Sequence, residues 1–134
     1  MRSLFALSDV PTKISSFLPV NKGRSAMVHS LAASLGLFSQ MKMIKPIRAS
    51  YKDLQVYHSR DYLDFVLNPQ GEITSNAQFG LEDDCPPFRG LSDYVQLVAG
   101  ASLTAARALQ MPDVTVAICW DGGRLGSSFS RMEP

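Results

Sequence analysis

His29 and His58 are the two histidines of the chain, and each stands apart in sequence from any other residue with metal-ligand spacing. A lone histidine on a helical stretch is better read as a packed or capping residue than as a ligand. The acidic run Glu82-Asp83-Asp84 has the chemistry to bind a cation or orient a substrate, and equally to be a solvated loop. Arg24 stands at the entrance of a helical pattern, where the cost of burying a guanidinium favours a surface charge over a buried gate. Gly122-Gly123 either lets the backbone approach a site closely or makes a turn. Cys85 precedes two prolines with only Arg89 nearby to lower its pKa, and the six methionines read as core filler. Cys85 and Cys119 lie far apart with no CxxC or Cys/His spacing, which predicts buried free thiols in a reducing compartment.

The elements that must position these residues come from a chain of 134 residues, 46% hydrophobic and 19% charged, with a mean hydropathy of +0.01. This is the composition of one ordinary soluble domain, long enough for a core without staples, and not of a disordered tail. Thirteen Lys and Arg against twelve Asp and Glu give a net charge of +1. No basic field drives binding to a phosphate backbone, so nucleic acid is not the expected ligand. No apolar run reaches the roughly 20 residues that a bilayer span needs, and Asp9 interrupts the opening apolar stretch too early for a signal peptide. An intracellular, soluble protein is expected.

Leu4-Phe5-Ala6-Leu7 predicts a buried strand closed by Ser8-Asp9 and Pro11, followed by an irregular loop to Gly23. Ala26, Met27, Val28, Leu31, Ala32, Leu35 and Phe38 recur at three- and four-residue spacing, predicting a helix over 25–40 with an apolar face. Met41–Ile44 ahead of Pro46 predicts a short strand. Ser50 with Asp53, and then Ser59, open two short helices, the second running to Leu67. Residues 69–91 form a connection long enough to suggest a functional loop. Ser92 and Asp93 start a helix whose apolar positions are Val95, Val98, Ala99, Leu103, Ala106 and Leu109. Val114–Trp120 predicts a parallel strand covered on both faces, with Asp121-Gly122-Gly123 at its carboxyl end, where open α/β sheets bind ligands. The order of elements gives an α/β fold with right-handed crossovers.

Gly23-Arg24-Ser25-Ala26-Met27-Val28-His29-Ser30-Leu31 resembles the first helix of the class I, zinc-dependent histone deacetylases, R-[AS]-x-M-V-x-x-L. Pro46–Ser50, Tyr57-His58-Ser59 and Asp61-Tyr62-Leu63 are similar to the stretch that follows in that family. Phe79–Pro86 resembles its Y-G-L-x-x-D-C-P loop, and Ala117–Arg124 the strand that runs into W-x-G-G-x-H-H. The pattern is similar to that of the histone deacetylase 8-like and fungal class I members. The resemblance implies the N-terminal part, residues 1–124, of the three-layer α/β/α arginase/deacetylase fold, holding strands 2-1-3 of eight in a parallel sheet. It places Asp84 at the substrate rim, Arg24 on a buried internal channel, and Gly122 and Gly123 in the turn that delivers a catalytic histidine pair.

That pair is where the pattern departs. Leu125 and Gly126 follow Arg124, and residues 125–134 form a polar tail unlike the family. The two aspartates and one histidine that hold zinc in the family, the histidine pair and the catalytic tyrosine have no counterpart here. The resemblance therefore implies a nuclear deacetylase of acetyl-lysine histone tails, with corepressor partners and a possible cytoplasmic pool. This chain is expected to stop short of the catalytic residues, to bind no zinc and to be inactive. The competing expectation is a non-catalytic interaction fragment that competes for deacetylase-complex partners. With strand 3 lacking its usual neighbour, an apolar sheet edge is also expected.

Overall fold

A computed structural model describes residues 4–8, 12–16, 18–68, 77–83 and 86–122. Three parallel strands form one sheet: β1 (Leu4–Ser8), β2 (Met41–Ile44) and β3 (Val114–Ile118), in the order β2-β1-β3. Phe5 pairs with Met41 on one side of β1 and with Val116 on the other, and a register shift between Leu4 and Phe5 interrupts the pairing with β3. Five helices connect the strands: α1 (Thr12–Ser15), α2 (Arg24–Ser34), α3 (Tyr51–Gln55), α4 (Arg60–Val66) and α5 (Leu91–Ala108).

The helix expected over 25–40 is shorter than its periodicity. It ends at Ser34 because Gly36 takes a left-handed φ of +68°, and the chain continues as a 3-10 turn over Leu37–Gln40 directly into β2. The segment expected to be an irregular loop up to Gly23 holds α1 and a 3-10 turn at Pro19–Asn21. β3 ends at Ile118, two residues short of the predicted strand.

The caps read from the sequence do form. Ser50 and Asp53 make a reciprocal capping box, with the Asp53 amide donating to Ser50 Oγ at 3.2 Å and the Ser50 amide donating to Asp53 Oδ2 at 2.8 Å. The Ser50 hydroxyl, which donates to Asp53 Oδ2 at 2.7 Å, and after it the Ser50 amide hold the Asp53 carboxyl below the ordinary carboxylate value. Ser59 Oγ caps α4 by accepting from the Tyr62 amide at 3.4 Å.

Two apolar clusters result. The larger gathers Ala49, Leu54, Tyr62, Leu63, Val66 and Leu91 around the short helices, with Val95, Ala99 and Leu103 of α5 packed against it. The smaller joins Ala108 to Val114, Ile44 and Ala117 at the sheet. Helix α5 thus serves both sides, and its most deeply buried line is not the one its large apolar residues predict. Tyr94, Ala101, Thr104, Ala105 and Ala108 are buried, whereas Ala106 and Leu109 are exposed. Small residues win that face because the 45–49 segment runs directly against it.

Gly100 is the contact point. A Cβ built there would stand 1.7 Å from the carbonyl oxygen of Ile47. Around it the Ala49 amide donates to Gln96 O at 2.9 Å, and the Ile47 amide donates to Thr104 Oγ1 at 3.1 Å. Thr104 in turn donates to Gly100 O at 2.7 Å. Arg48 adds an exposed ion pair to Asp93, which contributes little by itself. Gly100→Ala must push the 47–49 backbone away and strain these bonds, so it is expected to lower unfolding stability by about 1–3 kcal/mol, read as a lower urea midpoint at unchanged slope.

Candidate functional site

The carboxyl end of β3 brings the chemistry-bearing residues together. Beyond Ile118 the chain turns through Trp120, Asp121 and Gly122, and the Asp121 side chain points inward, 6% exposed. Ser15 of α1 donates its hydroxyl to Asp121 Oδ1 at 2.6 Å, and Ser25 of α2 donates to Oδ2 at 3.1 Å. Both serines are buried. A carboxylate out of water is tolerated only where donors replace its hydration, and here two hydroxyls do so from segments remote in sequence.

Trp120 is held by rings. His29 of α2 stands edge-on to it with centroids 5.4 Å apart, and Phe38 tilts against it at 6.1 Å. Edge-to-face geometry sets the positive ring edge against a π face. The Gly122 amide donates to Cys119 O at 3.4 Å, and a Cβ on Gly122 would meet Ser102 Oγ at 2.6 Å and Cys119 Sγ at 2.8 Å. Gly122 thus closes a turn after β3 that lies against the side chains of Ser102 and Cys119. Cys119 is half-buried, with its sulfur 3.9 Å from Ser102 Oγ.

The residues predicted from sequence meet different outcomes. Arg24 opens α2 and is exposed, against the burial that the resemblance implies. The inward side of α2 is taken by Ser25 and Ala32, and the buried carboxylate that meets it, Asp121, already accepts from Ser15 and Ser25. Asp84 and Gly123, together with Cys85 and Arg124, lie outside the described residues. Their neighbours do not: Leu81 is buried, while Glu82 and Asp83 are exposed, Asp83 at a φ of +47°.

The two histidines belong to separate aromatic groups. His58 stacks on Tyr62 with centroids 4.9 Å apart and meets Tyr57 edge-on, and burial pushes its pKa below the ordinary value. Among the described residues no group of three His, Cys, Asp or Glu side chains is placed to hold a metal ion. What the turn can do chemically is positional: it fixes the direction in which the chain leaves the sheet.

Asp121 and its serine partners are what sequence reading misses. The aspartate sits in plain view in the Trp-Asp-Gly-Gly turn, but its donors lie 106 and 96 residues away, and a serine carries no spacing signal of its own.

The histone deacetylase domain pattern matches residues 18–124 of the chain. The chain belongs to the histone deacetylase family. It is 40% identical over 104 residues to histone deacetylase 8 of Danio rerio, covering 75% of this chain and 28% of that protein. Over 110 residues it is 33% identical to probable histone deacetylase 1-A of Xenopus laevis, covering 78% of this chain and 23% of the relative. Histone deacetylase clr6 of Schizosaccharomyces pombe (strain 972 / ATCC 24843) is 32% identical over 110 residues, with 78% and 27% covered. The similarity is to class I members, and it carries the α/β arginase/deacetylase fold with it. The chain spans about a quarter of the length of the relatives it matches.

Asp121→Ala leaves two buried hydroxyls without their acceptor and is expected to cost about 1–3 kcal/mol, with Ser15→Ala and Ser25→Ala each costing less. Trp120 is the single tryptophan, so its emission maximum should shift in the aspartate variant, reporting the turn directly. His58 gives a pH signature. Its folded pKa lies below the ordinary 6.5, so the unfolded chain takes up the proton first as pH falls through that value. Stability is expected to drop between about pH 7 and 5, and His58→Phe should flatten that slope in urea titrations at the two pH values.

Proposed function

We propose that the chain supplies the amino-terminal part of a zinc-dependent lysine deacetylase acting on N-acetyl-lysine of histones in the nucleus, with a role in chromatin and transcription regulation. The observation that carries this reading is a family match over residues 18–124, which takes in the helical motifs and β3 and ends just past the Trp-Asp-Gly-Gly sequence. In this reading β2-β1-β3 are the first strands of an eight-stranded sheet in a three-layer α/β/α domain. Residues 1–124 belong to that domain and 125–134 are a tail outside it.

The roles follow the matched positions. Asp84 hydrogen-bonds the substrate backbone at the rim, Arg24, exposed among the described residues, lines an internal channel once the rest of such a domain covers α2, and Gly122 with Gly123 forms the turn that aims the following residues at the substrate. The Asp121 anchor supports this last role, because a turn tied to α1 and α2 leaves the sheet in one direction. The histidine pair, the zinc ligands and the tyrosine of the family have no counterpart among these 134 residues, so this polypeptide by itself binds no zinc and is catalytically silent. Histone tails and corepressor subunits are the expected partners. With a net charge of +1 and no helix among the described residues long and apolar enough to cross a membrane, neither nucleic acid nor a bilayer is proposed as a direct ligand.

A second reading, a non-catalytic fragment that competes for deacetylase-complex partners, is favoured by the exposed apolar side of α2.

Purified 134-residue chain is expected to give no turnover of an acetyl-lysine peptide in the presence of zinc. A chimera in which residues 18–124 replace the matched segment of Danio rerio histone deacetylase 8 is expected to be active. Asp84→Asn in that chimera should lower kcat/KM by about 10-fold or more, the worth of a charge-assisted hydrogen bond. A folded but inactive chimera overturns the assignment.

A further inference from the structure

The backbone does little to hold the turn after β3. The bond that closes it, from the Gly122 amide to Cys119 O, is 3.4 Å long, beyond the roughly 2.7–3.2 Å usual for an amide donor. Side chains hold the turn instead. Asp121 Oδ1 accepts from Ser15 at 2.6 Å and Oδ2 from Ser25 at 3.1 Å. These donors reach it from α1 and α2, so the carboxylate is engaged at both oxygens and cannot swing about its Cβ–Cγ bond without losing one of them. On either side of Asp121 the neighbours are seated as well: Trp120 against His29 and Phe38, and Gly122 against Ser102 of α5.

A buried carboxylate is a poor choice for adhesion alone. Taking the charge out of water costs about as much as its hydrogen bonds return, and an apolar side chain of similar size would serve stability at least as well. What the carboxylate adds is direction, because it presents two acceptor oxygens at a fixed angle and each is committed to a donor on a different helix.

We infer that Asp121, Ser15 and Ser25 are positioning residues for the reaction: through the turn they aim the residues that follow Gly122, and so govern the chemical step rather than substrate binding. This rests on the reading of the chain as the amino-terminal part of a deacetylase domain, in which the acid–base histidines come directly after this turn. Asp121 itself is 6% exposed and turned toward the serines, so its role is to orient and not to touch substrate. A proton-transfer group misplaced by roughly 1 Å can lose on the order of 100-fold in rate, whereas substrate held by other parts of the domain is gripped as before.

Two measurements test this. Trp120 is the single tryptophan of the 134-residue chain, so acrylamide quenching of its emission reads the turn without any turnover. Asp121→Leu, similar in volume but without acceptors, is expected to raise the quenching constant about twofold at unchanged far-UV circular dichroism, and Ser15→Ala with Ser25→Ala to do the same; Asp121→Asn, which accepts from one serine and can donate to the other, should stay near the parent. The second measurement uses a chimera in which residues 1–124 replace the corresponding part of Danio rerio histone deacetylase 8, so that Ser15 enters with α1. There Asp121→Leu and the double serine variant should lower kcat about 10-fold or more, with KM within about twofold and bound zinc unchanged, and Asp121→Asn should recover most of kcat. Gly100→Ala, which disturbs packing away from the turn, should leave kcat unchanged. Quenching indifferent to Asp121→Leu, a loss carried by KM, Asp121→Asn as poor as Asp121→Leu, or an equal loss in Gly100→Ala would each overturn the inference. An inactive parent chimera beside the expected quenching sinks only the deacetylase assignment, and an active one whose kcat ignores the turn variants sinks only the positioning role.

Discussion

The carboxylate of Asp121 is the point on which this arrangement closes. Two hydroxyls from α1 and α2 replace its water, and without them burial of the charge would be untenable. Because Ser15 follows β1 by a few residues and Ser25 opens the first turn of α2, satisfying one carboxylate fixes where the chain goes after β1 and where it ends β3. Trp120 reinforces the same junction by wedging against His29 and Phe38, one on α2 and the other just past it. Gly122 completes it by having no side chain to hold the turn away from Ser102. The junction is polar at its centre and aromatic at its border, which gives it direction as well as adhesion.

The rest of the packing distributes unevenly around that junction. On the α3–α4 side the core is complete in itself: Leu63 and Val66 are fully buried, the caps satisfy the helix starts, and Gly100 lets the 47–49 strand-like segment lie flat on α5. On the sheet side, among the residues whose burial is described, Ala108 and Val114 pack with half-buried Ile44 and Ala117, and α2 exposes Met27, Leu31 and Leu35.

How much of this is legible in the sequence depends on whether the signal is local. Ser50 with Asp53 and Ser59 with Tyr62 are local, and both caps form as read. The apolar runs at Leu4, Met41 and Val114 are local too, and each becomes a strand. Periodicity in α2 is equally local but reports only that one side is apolar, not that anything covers it. Hence Met27, Leu31 and Leu35 read as core and stand exposed. The α5 face fails for the opposite reason: the deciding contact is with the backbone of Ile47, 53 positions from Gly100 along the chain, so small residues rather than large ones mark the buried line. Arg24 is exposed where the resemblance implies burial. Of the predicted site, Gly122 follows the turn after β3, while Asp84 and Gly123 fall outside the described residues.

The sheet edges carry the last step. The two outer strands differ in composition: β2 carries a lysine with a proline just beyond it, as suits an edge, whereas β3 is uncharged and β-branched at every position but Ala117, and among the described residues it pairs only with β1. The overall composition cannot convey this, because 46% hydrophobic residues and a net charge of +1 are equally those of a whole domain and of a part of one. The distinction lies in where the apolar residues stand after folding. Met27, Leu31 and Leu35 stand exposed on the helix whose other face is bonded, through Ser25, to Asp121 at the end of β3, so one buried carboxylate sets which side of α2 turns inward.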